Sequence, residues 1–335
     1  MLNYKIKNLH ITSCLLLYLL AMNIKSRIKK NVALAPFTTF KIGGKAKFFI
    51  EVKTRNDLIN AVVWAKNNGI NFYILAGGSN VLINDKVINA LVIKVNSKNL
   101  EVKRNIVQSG AGVVLGEVVN MAIQHNLSGL EWARGIPGTI GGAVRGNAAA
   151  FDVAIGSSIE SIVVYDVVKN KFITLNNKNC RFGYKNSIVK ENHSLIIWEV
   201  KLRLKKSTKK NIKNNSNKYL AIRKNHPKLP SAGCVFKNFS ANYVKDNSPE
   251  IYQEAKDNKI LRNKLISAGW LISRTDLPGK VVGGAQVSLQ HANFIVNYNQ
   301  AKAEDVIILI GLIKQKLRTE FNLQLQEEIE YIGFE

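Results

Sequence analysis

The residues with most chemical promise in this chain lie in two glycine-rich loops. The first reads Ala76-Gly77-Gly78-Ser79-Asn80-Val81-Leu82 and follows an apolar run, Phe72 to Leu75. Adjacent glycines let backbone N–H groups turn toward an anion, and Ser79 and Asn80 add side-chain hydrogen bonds. The second reads Gly135-Ile136-Pro137-Gly138-Thr139-Ile140-Gly141-Gly142-Ala143 and continues into Arg145-Gly146-Asn147. Pro137 stiffens this loop and its glycines admit close approach of a flat ligand. A tight turn explains either loop alone. Together they suggest two walls of one dinucleotide site. The chain has no GxxxxGK[ST], no GxGxxG after a strand and no HExxH, which disfavours P-loop hydrolysis and ordinary Rossmann dehydrogenase chemistry. The five histidines form no metal-ligand cluster, so no metal site is expected. Cys14, Cys180 and Cys234 are odd in number and far apart, with no CxxC. They make no disulfide framework and fit a reducing compartment.

The elements that must hold these loops alternate between short apolar strands and amphipathic helices. Phe48 to Val52 reads as a strand, and Thr54 as an N-cap with Asp57 three residues on in a capping-box position. Leu58, Ala61, Val62 and Ala65 recur at helical spacing, and Gly69 closes that helix. With the strand Phe72 to Leu75 this makes a βαβ pattern and predicts an α/β or α+β domain. Val114 to His125 reads as a second helix, and Ile159 to Val168 and Ser194 to Leu204 as strands. Lys205 to Lys228 is basic and polar and reads as a solvated linker, compatible with a rim role for Arg223. The last helix, Asp305 to Phe321, buries Val306, Leu309, Ile310, Ile313 and Leu317 at helical spacing. There is no internal repeat.

Length and composition bound the answer. The chain of 335 residues is long enough for two or three domains, and an apolar share of 46% supports a sizeable core. The net charge of +25 invites an anionic partner. Yet the basic residues run from Lys5 to Arg318 without forming a stripe, and no zinc-finger spacing or RNA-binding aromatic motif accompanies them. Diffuse drift toward lysine is the better reading, and no nucleic-acid partner is expected. The apolar stretch Leu9 to Ala21 is too short for a bilayer span, which needs about 20 apolar residues, and it lacks a clear cleavage site. We read Met22 as the true start, or residues 1–24 as an N-terminal extension, and the cysteine usage leads us to expect a cytoplasmic protein.

Further segments make the pattern specific. They are Thr38-Thr39-Phe40-Lys41-Ile42-Gly43-Gly44, Phe182-Gly183-Tyr184-Lys185-Asn186-Ser187 and Ser231-Ala232-Gly233-Cys234-Val235-Phe236-Lys237-Asn238. Then come Gly283-Gly284-Ala285-Gln286-Val287-Ser288 with His291-Ala292-Asn293-Phe294, and Leu325-Gln326-Glu327-Glu328-Ile329-Glu330. The loop pair resembles an FAD-binding module of the vanillyl-alcohol-oxidase type. All the segments in this order, across about residues 33 to 333, resemble the UDP-N-acetylenolpyruvoylglucosamine reductase family, in the form without the mobile tyrosine-bearing insertion.

The resemblance implies an α+β protein. Two small α+β subdomains, 25–90 and 91–210, would hold FAD non-covalently, with 323–335 returning to the second. A C-terminal α+β domain, 211–322, would bind the UDP-sugar. NADPH is the implied reductant, and UDP-N-acetylglucosamine enolpyruvate the implied substrate, reduced to UDP-N-acetylmuramate for peptidoglycan. Cofactor contacts are expected from Gly77, Gly78, Ser79, Asn80, Val81, Gly135, Ile136, Pro137, Gly138, Thr139, Gly141 and Asn147. Substrate contacts are expected from Tyr184, Arg223, Asn238, Lys280 and His291.

Three positions match the family's catalytic set. Lys185 stands where the family's F-x-Y-R-x-S motif has arginine, Cys234 where G-S-x-F-K-N has serine, and Glu328 at the second glutamate of L-E-P-E. The implied roles are stabilisation of the developing anion, proton donation, and a supporting carboxylate. Lys185 keeps the charge but loses the planar fork. Cys234 remains a proton donor. An attenuated or inactive flavoprotein, or an oxidase of the same fold, is the alternative these departures leave open.

Overall fold

The computed structural model describes residues 24–334. The reading of Met22 as the start, and of the apolar stretch before it, falls outside the described residues. Among those described, no helix is long and apolar enough to cross a membrane.

The chain opens with β1 (Lys29–Ala33), β2 (Lys45–Val52), α1 (Arg55–Asn67), β3 (Phe72–Leu75), β4 (Val81–Ile83) and β5 (Ile88–Val95). The expected capping box is present: the Thr54 side chain accepts from the Asp57 N–H, and the Asp57 carboxylate accepts from the Thr54 N–H. Arg27 also reaches Asp57. The sheet order is β1-β2-β5-β3, with β5 between the two strands of the expected βαβ unit and parallel to both.

A second sheet is built from β6 (Leu100–Lys103), β7 (Ile106–Gly110), β8 (Ile159–Asp166), β9 (Lys171–Asn176) and β10 (Leu195–Arg203), in the order β9-β8-β10-β7-β6. Between β7 and β8 lie α2 (Leu115–Gln124) and the short α3 (Ile140–Arg145). One apolar core runs through both units, from Ile24 through Leu58, Ile93 and Val118 to Leu204. A smaller cluster, with Phe49, Leu75, Ile83 and Ile332, packs elsewhere in the first unit.

The segment read as a linker is instead α4, a 15-residue helix, Lys209–Arg223. The reason is local. Thr208 caps it, Ile212 and Ser216 are buried, and the Tyr219 ring lies tilted against Phe151 with centroids 4.8 Å apart. Its low apolar content hid a face only two turns deep.

The remaining unit has a four-stranded sheet ordered β11-β14-β13-β12: β11 (Ser231–Cys234), β12 (Val281–Val282), β13 (Ala285–Val287) and β14 (Phe294–Asn297). Against it packs α5 (Ala303–Phe321), which buries Val306, Leu309, Ile310, Ile313 and Leu317 as the periodicity predicts. The last described strand, β15 (Glu330–Ile332), runs parallel to β4, with Glu330 opposite Val81, so the C-terminal segment pairs with the first unit and not with the second, where the sequence reading put it.

Candidate active site

The two glycine loops back onto each other. A Cβ on Gly77 would lie 2.5 Å from the Gly138 Cα. Gly78 has φ +64°, and a Cβ there would fall on the Phe37 carbonyl oxygen; Gly138 has φ +106°, and a Cβ there would fall on Ser79 Oγ. Both positions therefore demand glycine, for conformation and for space. The Gly78 carbonyl accepts from the Thr39 N–H at 3.0 Å, which fastens the loop to the Thr38–Gly44 segment. The N–H groups of Gly77, Gly78, Ser79 and Asn80 donate to no protein acceptor among the described residues. Four successive unengaged N–H groups on a cleft wall form a cradle for an anion, and a dinucleotide's diphosphate fits it.

The cleft itself holds about 310 Å³. Its walls include Gly77, Gly78, Ser79, Asn80 and Val81 from the first loop, and Thr139 and Gly141 from the second, all expected. Gly135, Ile136, Pro137 and Gly138 do not line this cavity. Gly138 lies behind Ser79, and Gly135 sits against the Arg223 side chain. Asn147 was expected to touch the cofactor, but its amide is engaged elsewhere. It donates to the Gly183 carbonyl at 2.7 Å and accepts from the Gly156 N–H at 3.0 Å, which pins the Tyr184–Lys185 turn.

Sequence reasoning missed an ion cluster in the same cleft. Glu330 on β15 meets Arg145 from α3 at 3.2 Å and Lys190 at 2.9 Å. Burial pushes its carboxyl up, but the two cations outweigh burial and hold it below the usual range. Three distant segments meet here, and no spacing in the sequence signals it.

The second cluster lies where the Gly183–Asn186 turn, β11 and the C-terminal segment converge. Lys185 sits at φ +54°, and its Nζ donates to Glu328 Oε1 at 2.6 Å. Both side chains are largely shielded, 17% and 15% exposed. Burial disfavours the Lys185 ammonium, but Glu328 overrides this and its affinity for the proton rises. Cys234 ends β11. The Glu328 N–H donates to the Val235 carbonyl at 2.7 Å, and the Lys237 N–H to the Gln326 carbonyl at 2.9 Å. That short antiparallel contact sets the thiol and the carboxylate in one neighbourhood. Burial pushes the Cys234 thiol up to about 12, Glu328 adds to this, and Lys185 and Arg223 oppose it. The thiol therefore holds its proton at neutral pH.

The Tyr184 hydroxyl accepts from the Asn238 N–H at 3.1 Å, and the Asn238 side-chain carbonyl accepts from the Ala268 N–H. The turn and the third unit are thus tied at the site. Arg223 donates to the Trp132 carbonyl at 3.0 Å and lies over the Phe151 ring, while its Nε is buried without a partner. His291 Nδ1 is likewise buried without a partner. His226, another residue missed in the sequence, meets the His291 ring edge-on at 5.7 Å. Burial lowers the proton affinity of both imidazoles; Arg223 lowers that of His226 further, and His226 that of His291. Lys280 is exposed before β12, and no hydrogen bond or ion pair ties it to the Cys234 cluster. Among the described residues no three side chains of metal-ligating type come together.

A protonated thiol beside an ammonium–carboxylate pair can protonate a developing carbanion and stabilise its negative charge. Comparison with known proteins shows the family of the chain. The family model described as the FAD binding domain matches residues 46–171, and that described as UDP-N-acetylenolpyruvoylglucosamine reductase, C-terminal domain, matches 225–332. The chain is 33% identical to the UDP-N-acetylenolpyruvoylglucosamine reductase of Clostridium novyi over 93% of its length and 94% of the relative's. It is 35% identical to that of Caldicellulosiruptor bescii, covering 91% and 90%. Among solved structures, UDP-N-acetylenolpyruvylglucosamine reductase from Thermus caldophilus superimposes with TM-score 0.74 at 31% identity, covering 91% of this chain and 99% of that one.

Proposed function

The chain belongs to the UDP-N-acetylenolpyruvoylglucosamine reductase family and has its vanillyl-alcohol-oxidase-type FAD-binding fold, and from that premise we propose that Lys185, Cys234 and Glu328 carry the reduction of UDP-N-acetylglucosamine enolpyruvate to UDP-N-acetylmuramate. The observation that carries this reading is the Lys185–Glu328 pair beside a thiol that keeps its proton.

Bound FAD supplies a hydride relay from NADPH to the enolpyruvyl double bond. Its diphosphate would fit the N–H groups from Gly77 to Asn80 that no described protein acceptor engages, with Thr139 and Gly141 of the adjoining loop also lining the cleft. Neither glycine loop contains a histidine or cysteine to bond the flavin, which supports non-covalent attachment. When hydride reaches the substrate's methylene carbon, negative charge develops on the neighbouring carbon and its carboxylate. The Lys185 ammonium stabilises that charge, and Glu328 holds the ammonium in place. Cys234 gives its S–H proton to the carbanion, and solvent restores the thiol. A thiol this reluctant to ionise yields its proton only to a strong base, which suits a carbanion acceptor.

Tyr184 and Asn238 form one substrate wall. Arg223 and His291, whose buried nitrogens lack partners, are suited to an anionic group of the UDP-sugar. Dependence on NADPH and a nucleotide sugar supports a cytoplasmic location. The test is direct. The purified protein should show a bound-flavin spectrum and oxidise NADPH only when the enolpyruvyl sugar is present. NADPH oxidation with no substrate requirement would overturn the assignment in favour of an oxidase of the same fold.

A further inference from the structure

The best-satisfied buried side chain near the thiol is Asn293, which the roles above do not use. It is 2% exposed. It stands one residue before β14, at a point where the β11–β14 ladder is already irregular. Ser231 pairs with Val296 and Cys234 with Phe294, with a shift of register between them, and Gly233 in that stretch has φ +79°. Such a bulge re-aims the residue beside it and weakens the pairing that would hold it. Beyond Cys234 the regular ladder stops.

Asn293 takes over from there. Its main-chain carbonyl accepts from the Val235 N–H at 2.8 Å. Its side-chain oxygen accepts from the Phe236 N–H at 2.9 Å, and its side-chain nitrogen donates to the Phe236 carbonyl at 2.8 Å. The amide thus imitates a neighbouring peptide and satisfies both polar groups of a buried residue. On its other edge this stretch receives the Glu328 N–H at the Val235 carbonyl, at 2.7 Å. The Glu328 carbonyl in turn accepts from Asn80 Nδ2 at 3.1 Å. The connections run from Asn293 through Val235 and Phe236 to Glu328, and on to the first glycine loop.

We propose that Asn293 is a positioning residue for the reduction, holding the chain after the bulge so that Cys234 and Glu328 keep their relative placement. The proposal rests on the roles given above to Cys234 and Glu328. Asparagine suits the position because it offers one donor and one acceptor at the right reach. Aspartate keeps the acceptor, loses the donor and sets a carboxylate against the Phe236 carbonyl. Alanine leaves both Phe236 groups unpaired.

The test uses the flavin-loaded Asn293→Asp and Asn293→Ala variants of the full chain. Flavin content and flavin reduction by NADPH should stay within about twofold of the wild type, and substrate-dependent flavin reoxidation should fall on the order of 10- to 100-fold, the scale of a small misplacement of reacting groups. The loss should fall on the rate at saturating substrate rather than on its half-saturation. Alkylation of Cys234 by iodoacetamide, followed by mass spectrometry of the peptide, should change severalfold in rate, because the thiol's surroundings shift. Reoxidation and alkylation at wild-type rates in both variants would overturn the proposal. So would loss of flavin from both, since the residue would then serve only the fold. Should the wild type fail to reduce the substrate while the variants still alter Cys234 alkylation, the positioning stands and the assigned reaction falls.

Discussion

The flavin cleft and the Cys234 cluster are built by opposite means. The cleft's anion cradle is main chain: four free N–H groups on a loop that two close-packed glycine turns keep narrow. The Cys234 cluster is side chain: a thiol, an ammonium and a carboxylate delivered by three segments far apart in sequence. A site made of backbone depends on what is missing from its residues, and almost any added atom harms it. A site made of functional groups depends on what is present, and tolerates another residue that supplies the same proton or charge. Lysine and cysteine in positions that the family resemblance gives to arginine and serine are the second kind of tolerance.

The contrast breaks if exchange of a functional group is harmless. Cys234→Ala should reduce flavin with NADPH normally, yet slow flavin reoxidation by substrate by roughly 10²- to 10⁴-fold, the usual worth of a general acid. Stopped-flow absorbance separates the two halves. Cys234→Ser should remain active, because a hydroxyl also donates. A smaller effect is expected at the charge. Lys185→Ala should cost about 3 kcal/mol of transition-state stabilisation, near that of a lost oxyanion donor. Lys185→Arg should keep turnover, and neither variant should slow reduction by NADPH. Equal losses in the two half-reactions would remove Lys185 from the chemistry.

In the cleft the expected pattern reverses. Gly78→Val or Gly138→Val should lose flavin and about 1–3 kcal/mol of stability, from strain and overpacking against Phe37 or Ser79. Ser79→Ala, which leaves every main-chain donor in place, should retain flavin. Equilibrium dialysis with a thermal melt reads both. At neutral pH the last effect is silent, and it appears only as pH rises. Burial raises the Cys234 thiol from its ordinary 9.0 to about 12, so the folded protein keeps a proton that the unfolded chain loses first. Stability from this group is complete below about pH 9 and is lost as pH rises toward 12. Cys234→Ser should flatten that alkaline decline. The reoxidation rate of the wild type should show no descending limb near the ordinary thiol value.

The same division decided what the sequence could reveal. Glycine loops are legible because φ and space constrain residue type directly, and the two loops do touch. The α1 capping box and the buried stripe of α5 are local patterns and could be read in full. Asn147 reads as a cofactor contact from its neighbours in the loop, and that its amide serves the Gly183 turn is visible only in the fold. The Arg145–Glu330–Lys190 cluster and His226 stayed hidden because each needs segments that only the fold brings together. Helix α4 was missed because Ile212, Ser216 and Tyr219 make too thin a stripe among lysines and asparagines.

The pairing of β15 with β4 has a consequence for synthesis on the ribosome. The first glycine loop and its sheet are made first, but Asn80 finds its partners in Glu328, 248 residues further on, and in Glu330. Some 240 residues separate the end of β5 from the end of β15, so at about 5–20 residues per second the nascent first unit waits roughly 10–50 seconds for that strand. Through that interval the edge of β4 lacks the strand that pairs with it in the folded chain, and an open strand edge invites pairing with other chains. A product that stops before β15 would leave the ribosome with that edge still bare.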